Sequence, residues 1–274
     1  MSISPQKAAP APTVLGAAST SEAPVRRKPI LRPVSVRAIE DLGPRMRRVT
    51  FFGDSLEGFG PAKPGSHIKL FFGDLPLDWQ PQPGQPRPIA RTYTPRHFDP
   101  VRRELVIDFV RHGEGVAAQW AEQARIGSTL LIAGPGGGQV FPQELRHLLL
   151  LVDESALPAA GTILDHLPAH CLVTLYAEVS DAADQINLSE RPSTDVRWLH
   201  RLPSRAAPGS LLLQTARSLS LPEGAMCWVA CEATAMREIR RVLLNERSLE
   251  RTLLVTRGYW KAGASDHPDH DMGE

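Results

Sequence analysis

A short segment of alternating residue types carries the clearest chemical signal in this chain of 274 residues. It reads Arg91-Thr92-Tyr93-Thr94, so that a cation, an aromatic ring and small hydroxyl groups follow one another. In a strand, alternate side chains share a face, which puts Arg91 and Tyr93 on one side and Thr94 on the other. A guanidinium beside a flat phenol suits a ligand that combines a phosphate with a planar ring. The segment therefore predicts a nucleotide site.

A glycine-containing turn further along the chain adds a second phosphate-binding feature. The turn, HGEG at 112–115, precedes a helical stretch predicted over 116–124. Backbone N–H groups at the start of a helix lack partners within the helix and bind phosphate oxygens. Each feature alone is common, because a glycine before a helix is usually only a cap. Together and in this order they favour a flavin nucleotide.

The composition is that of a soluble globular protein, and it argues against several classes of partner. Hydrophobic residues make up 42% of the chain and the formal net charge is +1, so we expect no nucleic-acid partner. No apolar run approaches the roughly 20 residues that cross a bilayer, and we expect no stable membrane association. The three cysteines form neither a CxxC pair nor a zinc pattern, which predicts no metal site and a reducing, cytoplasmic compartment.

Strand patterns dominate residues 30–142, where β-branched and aromatic residues recur between glycine and proline clusters. Several short strands with one helix near the end predict a small antiparallel β-barrel. The segment 74–88 is rich in proline and is predicted to be a loop. Strands are expected at 34–42, 45–52, 67–72, 90–94, 104–110 and 129–134.

The pattern changes after residue 142. A continuous apolar run at 148–152 is typical of a strand buried on both faces, and its alternation with helices predicts a parallel α/β sheet over 143–264. The first 29 residues are expected to be a disordered tail, and residues 265–274 a flexible one. The further strands are expected at 172–179, 196–200, 227–231 and 252–256, and the helices at 158–167, 211–219 and 233–246.

The chain resembles the siderophore-interacting proteins in six blocks that occur in order over residues 32–263. This family comprises flavin-dependent ferric-siderophore reductases of the ferredoxin-reductase-like superfamily. The resemblance implies an FAD-binding antiparallel β-barrel followed by a parallel α/β domain that binds NADPH or NADH. The blocks are PGSHIKLFF at 64–72, RTYT at 91–94, DFVRHGEGVAAQWA at 108–121, LLVDESALPAAGTILDHLP at 150–168, WVACEATAMREIRRVL at 228–243 and GYWKAG at 258–263.

The resemblance also implies which residues hold the flavin. Within the block that also contains Thr92, Arg91 would neutralise a flavin phosphate, Tyr93 would pack on the isoalloxazine and Thr94 would lie near the reactive ring nitrogen. Taken alone, Asp108 is better explained as an outward-facing polar residue of a strand, whereas His112 is as readily a turn histidine. Contacts to the ring edge, mostly through the backbone, are implied for Asp108, Phe109 and Val110. Contacts to the pyrophosphate are implied for His112, Gly115, Val116, Ala117 and Ala118.

In the α/β half the GxGxxG fingerprint is absent, so the donor nucleotide must use other turns. The resemblance points to Asp153, Glu154 and Ser155 after the first parallel strand and to Glu232 after the fourth, at the ends where α/β ligands bind. Glu232 is equally suited to the N-terminus of the following helix. Cys231 stands where the family usually has glycine, which leaves nucleotide contact at that turn open.

Two further features of the α/β half allow more than one interpretation. The aromatic pair Tyr259 and Trp260 is expected either to cover the flavin or nucleotide or to pack between the domains. The second parallel strand ends with acidic residues at 178–181 and no adjacent arginine, which favours NADH. The family is often NADPH-linked, so the choice between NADH and NADPH stays open.

The acceptor implied by the resemblance is a ferric siderophore, an anionic iron chelate that basic residues near the flavin edge would attract. Lys69 matches a basic position in the family's siderophore pocket, and Lys63, Arg257 and Lys261 are further candidates. Any of these side chains would otherwise serve only solubility. The iron brings its own ligands, so no metal-ligating protein residues are needed.

The predicted function is therefore ferric-siderophore reduction by NAD(P)H through FAD, in a monomer with no catalytic side chain beyond the flavin. Two alternatives remain. One is a siderophore-binding flavoprotein with little nicotinamide turnover, and the other is a general NAD(P)H flavin or ferredoxin-type reductase. The second would need a separate electron partner, since this chain has no cysteine set for an iron–sulfur cluster.

Overall fold

A computed structural model describes residues 30–60, 62–82, 84–86, 88–111, 115–188, 191–202, 204–264, 267 and 271–273. The strands form two sheets, one of seven antiparallel strands and one of five parallel strands. The predicted order of an antiparallel domain followed by a parallel α/β domain is thereby confirmed. The tail predicted for residues 1–29 and the turn residue His112 lie outside the described residues.

The first sheet curls around a core of aromatic and aliphatic side chains that includes Phe51, Phe109 and Ile132. Its strand order is β4-β3-β7-β1-β2-β6-β5. The helix α1, Val116–Gln123, closes this core, where Trp120 stacks on Phe51 with ring centroids 5.8 Å apart. The strands are β1 Leu31–Gly43, β2 Met46–Phe52, β3 Ser66–Phe72, β4 Ile89–Tyr93, β5 His97–Asp99, β6 Glu104–Val110 and β7 Thr129–Gly137.

Strand β5 is an addition to the six strands that the sequence predicts for this half. It has three residues and pairs with β6, at the edge of the sheet. A run this short has no recognisable alternation, so its strand state depends on the pairing with β6 rather than on its own pattern.

The second sheet has the order β10-β9-β8-β11-β12, with all neighbours parallel. Its central strand β8 is the apolar run of the sequence and is buried on both faces. The strands are β8 His147–Asp153, β9 Leu172–Val179, β10 Thr194–His200, β11 Met226–Glu232 and β12 Leu254–Trp260. The helices are α2 Leu157–His166, α3 Ser210–Ser218 and α4 Ala233–Arg241, and α4 continues as a π-helical turn over Val242–Glu246.

The helices cover the two faces of the parallel sheet separately. Leu148, Leu150 and Val152 pack with α2 in one cluster, whereas Leu149 and Leu151 belong to the cluster with α3 and α4. The strand order reverses between β8 and β11, and ligands of such sheets bind outside the carboxyl ends of the strands at that point.

Polar contacts join the two sheets. Arg96 donates to Asp165 on α2 at 2.5 Å and to the carbonyl of Leu188 at 2.9 Å. Gly161 lies under this guanidinium, since a Cβ there would stand 2.7 Å from Nε of Arg96. The amide of Gly65 donates to Oγ1 of Thr162 at 2.9 Å. The domains are therefore held through α2.

Residues 271–273, near the C-terminus, lie against the edge strand β12. The amide of Gly258 donates to the carbonyl of Asp271 at 2.8 Å, and Oγ1 of Thr256 donates to the carbonyl of Met272 at 2.5 Å. Arg237 of α4 pairs with the carboxylate of Asp271 at 2.5 Å. Among the residues described here, no helix is long and apolar enough to cross a membrane.

Candidate functional site

Strand β4 places Arg91 and Tyr93 on one face of the first sheet. Their partners on β3 are the buried residues Leu70 and Ile68. The Tyr93 ring lies 4.6 Å, centroid to centroid, from the ring of Phe109. Burial raises the pKa of Tyr93, and the positive charge of Arg91 opposes that rise, so the guanidinium is close enough to act on the phenol.

Thr94, directly after β4, connects the first sheet to the second. It is buried, and its hydroxyl lies beside Tyr259 near the end of β12. Burial raises the pKa of Tyr259, and the charge of Arg257 opposes the rise. Tyr259 also meets Trp228 edge to face, with centroids 6.3 Å apart. Three of the predicted site residues, Thr94, Tyr259 and Arg257, therefore meet at the boundary between the sheets.

The start of α1 presents backbone N–H groups as the sequence predicts. Gly115 precedes the helix with φ of 94°, in the left-handed region that favours glycine. No side chain among the described residues caps the helix. The amides of the first turn, which includes Val116, Ala117 and Ala118, have no partner within the helix and suit an anionic group.

The residues predicted at the ring edge, 108–110, are largely buried within the first sheet. The carboxylate of Asp108 accepts two hydrogen bonds from Arg48 on β2, at 2.7 and 2.9 Å. Phe109 is fully buried, and Val110 pairs with Met46 at the end of β6. The side chains of Asp108 and Phe109 thus serve the sheet.

Asp153 joins the carboxyl ends of three parallel strands. Its side chain is fully buried and accepts from the amide and hydroxyl of Ser155, at 3.0 and 2.5 Å. It also accepts from the amide of Glu232 and from Nε1 of Trp260, each at 2.8 Å. Burial and the negative charge of Glu154 raise the pKa of Asp153 to about 7. This carboxylate therefore organises the edge where a nucleotide is expected.

Glu232 caps α4 and also holds the loop after β12. One of its oxygens accepts from the amides of Thr234 and Ala235, at 2.7 and 2.9 Å. The other accepts from the amide of Ala262 at 3.2 Å, next to Lys261. The N-terminal capping role considered from the sequence is thus observed, together with a fixed position for the loop.

Cys231 does not face the boundary between the two sheets. Its side chain is fully buried in the core cluster beneath α3 and α4, with Cys227 and Val229 on the same face of β11. The thiol therefore leaves the approach to this turn open, although glycine is usual there.

Arg201, immediately after β10, is a residue of this edge that the sequence did not single out. Its guanidinium donates to Glu154 at 2.5 and 2.8 Å and to Glu178 at 3.2 Å. The sequence has no arginine next to the acidic end of β9, but β10 and β9 are neighbours and end together, which brings Arg201 beside Glu178. The sequence did contain one indication of this position. Arg201 directly follows a predicted parallel strand, and residues that follow such strands lie at the same edge of the sheet.

The four basic residues predicted for the acceptor lie on both sides of the boundary between the sheets. On the first sheet, Lys69 is half-buried on β3, and Lys63 is exposed in the loop before that strand. On the second sheet, Arg257 lies on β12 near Tyr259, and the exposed Lys261 directly follows β12.

Two family models match consecutive parts of the chain. The siderophore-interacting FAD-binding domain matches residues 35–139, and the siderophore-interacting protein model matches residues 145–263. These ranges correspond to the antiparallel and the parallel sheet.

The names of individual relatives are consistent with these family models. Ferric vibriobactin reductase of Vibrio cholerae is 33% identical over 237 residues, which cover 82% of this chain and 87% of the relative. The NADPH-dependent ferric-chelate reductase of Escherichia coli is 34% identical over 187 residues, covering 64% of this chain and 73% of the relative.

Two solved structures superpose on most of this chain. A siderophore utilization protein from T. fusca superposes with a TM-score of 0.79 at 36% identity, covering 88% of this chain and 97% of that one. The ferredoxin reductase in carbazole 1,9a-dioxygenase, at 16% identity and a TM-score of 0.61, covers 84% of this chain and 69% of its own, and shows the shared fold alone. The chain belongs to the siderophore-interacting protein family.

Proposed function

We propose that this protein reduces ferric siderophores, passing electrons from NAD(P)H through FAD to Fe(III) and releasing Fe(II) for iron acquisition. The observation that carries the proposal is the contact between Thr94 and Tyr259, which brings the predicted flavin strand against the nucleotide edge of the parallel sheet. An electron carrier between two substrates needs such a junction, because donor and acceptor must both reach the same ring system.

The residues of the first sheet suit FAD. Arg91 offers a cation, and the start of α1 offers amides that no described side chain caps, so both fit a pyrophosphate. Tyr93 provides an aromatic surface backed by Phe109. When bound, FAD would accept two electrons from a nicotinamide and deliver them singly to iron. The protein's own contribution is to bind and orient the ring, with the Thr94 hydroxyl beside Tyr259.

The donor nucleotide would bind at the carboxyl ends of β8 and β11, where the strand order reverses. Asp153 fixes Ser155, the turn into α4 and the Trp260 indole at this edge. These contacts hold the turns that would face the nicotinamide, next to Tyr259 and the flavin ring.

The acceptor would be an anionic ferric chelate drawn to the basic residues Lys63, Lys69, Arg257 and Lys261. One NAD(P)H carries two electrons, so it would reduce two ferric ions in succession. The names of the Vibrio cholerae and Escherichia coli relatives, a ferric vibriobactin reductase and a ferric-chelate reductase, support this class of acceptor. The alternative of a binding protein without turnover loses its main support, because Cys231 is buried beneath α3 and α4.

The proposal is tested by anaerobic titration of the purified protein. We expect a yellow protein whose flavin absorbance is bleached by NADH or NADPH and restored by a ferric siderophore. An Fe(II) indicator should then report two ferrous ions for each nucleotide oxidised. A protein that binds no flavin, or whose flavin is bleached by dithionite but by neither nucleotide, would contradict the proposal.

We also propose that the protein acts as a monomer in the cytoplasm. Its three cysteines are buried and unpaired, which suits a reducing compartment. Light scattering of the purified protein and fractionation of cells test these two points separately. A stable dimer in the first measurement, or recovery outside the cytoplasm in the second, would contradict the corresponding point.

A further inference from the structure

We propose that the corner formed by Glu154, Glu178 and Arg201 makes this protein prefer NADH to NADPH. The backbone amides and the guanidinium there that could bind a 2′-phosphate already bind carboxylates of the protein itself. This inference rests on the proposed function, because it concerns which nucleotide delivers the electrons.

The position of the corner follows from the fold. The predicted flavin strand meets the parallel sheet at Tyr259 on β12, beside Thr94. A nicotinamide that meets the flavin there leaves the rest of the dinucleotide to extend across β8 towards β9 and β10, the other half of the sheet. Glu154 follows β8, Glu178 is near the end of β9, and Arg201 follows β10, so the adenosine ribose would reach these residues.

The first occupied group is the N-terminus of α3. Free amides at a helix start bind phosphate. Here Glu178, which is fully buried, accepts from the amides of Gly209, Leu211 and Leu212, at 2.6, 3.1 and 3.1 Å. An incoming phosphate would therefore find these three donors in use.

The second occupied group is the guanidinium of Arg201. It donates to both oxygens of Glu154 and to Glu178, and its side chain is only 12% exposed. Two carboxylates around one guanidinium leave one net negative charge. A phosphate monoester adds about −1.5 to −2 charges at pH 7, so the corner repels it. A ribose with free hydroxyl groups instead donates to carboxylate oxygens such as those of Glu154.

The test compares NADH and NADPH in the wild type and in Glu154→Gln. We expect kcat/KM for flavin reduction to favour NADH by about tenfold or more in the wild type. Glu154→Gln removes one negative charge and frees part of the Arg201 fork, so the preference should shift towards NADPH by about tenfold. Calorimetric affinities for NAD⁺ and NADP⁺ should shift in the same direction, which gives a readout independent of turnover.

Two further variants test whether the shift in nucleotide preference depends on this corner. Adding Arg201→Leu to Glu154→Gln should abolish the gain in NADPH use, because the phosphate would lose its partner. Glu238→Gln is the matched control, since it removes a carboxylate paired with Arg241 on the exposed face of α4; its nucleotide preference should equal that of the wild type.

The outcomes separate this inference from the proposed function. Equal or better use of NADPH by the wild type, or an unchanged preference in Glu154→Gln, would overturn the inference while leaving the reductase activity established. Failure of both nucleotides to reduce a flavin that dithionite reduces would overturn the proposed function and this inference together.

Discussion

The flavin-facing edge of the first sheet and the carboxyl edge of the parallel sheet use the same structural device in opposite ways. The start of α1 has no side-chain cap among the described residues, so its amides suit a ligand. The starts of α3 and α4 are capped by Glu178 and Glu232, which are buried near the ends of β9 and β11. A helix N-terminus therefore serves a ligand or the fold according to whether a buried carboxylate already occupies it.

This difference predicts different consequences of mutation in the two regions. Along the parallel edge, polar side chains satisfy one another, so removing one leaves buried groups unsatisfied and lowers the stability of the fold. Along the flavin edge, Arg91 and the α1 amides are expected to act on a ligand, so a change there should lower flavin affinity first.

The largest effect is expected from Asp153→Ala. Alanine would leave the amides of Ser155 and Glu232 and the indole of Trp260 without their acceptor. We expect the free energy of unfolding to fall by about 3 kcal/mol, measured by urea denaturation. Asp195→Asn, which breaks an exposed pair with Arg197, should leave the free energy of unfolding nearly unchanged. Similar losses in both variants would contradict the organising role of Asp153.

The same carboxylate predicts a dependence of stability on pH. Its pKa is raised to about 7 in the folded protein from 3.8, so between these values the folded state holds a proton that the unfolded state has released. The contribution of Asp153 to stability is therefore complete below about pH 4 and is lost as the pH rises through 7. Urea denaturation across this range should show a smaller fall for Asp153→Asn than for the wild type. Parallel curves would mean that Asp153 does not titrate there.

On the flavin edge, Arg91→Ala should release the cofactor without unfolding the protein. Loss of a charge-assisted phosphate contact costs about 1.5–3 kcal/mol, which weakens FAD binding by at least about tenfold. The measurement is the flavin content after gel filtration, together with the dissociation constant for added FAD. Arg102→Ala removes an exposed arginine of the same domain and should retain full flavin content. Full retention in Arg91→Ala would remove Arg91 from the flavin site.

The two regions also differ in how far the sequence predicts them. The flavin segment is contiguous, so the types and spacing of residues 91–94 and the glycine at 115 are sufficient to propose it. The parallel edge is assembled from Asp153, Arg201 and Trp260, which are distant in sequence and meet only because parallel strands end together. A family resemblance identifies Asp153 and Trp260 in the sequence, but no sequence pattern places Arg201 beside Glu154.

The remaining differences between the predicted and the observed fold lie where local sequence patterns are not informative. The strands and helices predicted from strong periodicity are present, whereas the three-residue strand β5 was missed because it depends on pairing with β6. The orientation of Cys231 was open for a similar reason, since the face of β11 that a side chain occupies is decided by the register of the sheet.

The contact between the two regions can be measured by a double-mutant cycle on Thr94 and Tyr259. Thr94→Val and Tyr259→Phe each remove one of two hydroxyl groups that lie side by side where the sheets meet. We expect a coupling energy of about 1 kcal/mol in urea denaturation, with a change in the flavin absorbance spectrum. Tyr176→Phe, which removes a hydroxyl in the α/β domain that accepts from Arg197, should show no coupling to Thr94→Val. Additive effects for Thr94 and Tyr259 would show that the hydroxyl groups do not interact.

The smallest effect is expected at Lys69, which is half-buried on β3 and is proposed to attract the anionic chelate. Because such an interaction is partly screened, Lys69→Ala should raise KM for a ferric catecholate by a few-fold, and added salt should reduce the difference. Lys69→Glu should raise KM further, since repulsion replaces attraction. Reduction of a neutral quinone should hardly change in either variant, because that acceptor needs no anion site. Equal losses for both acceptors would mean that Lys69 supports the fold or the flavin, and the acceptor site would then rest on Lys63, Arg257 and Lys261.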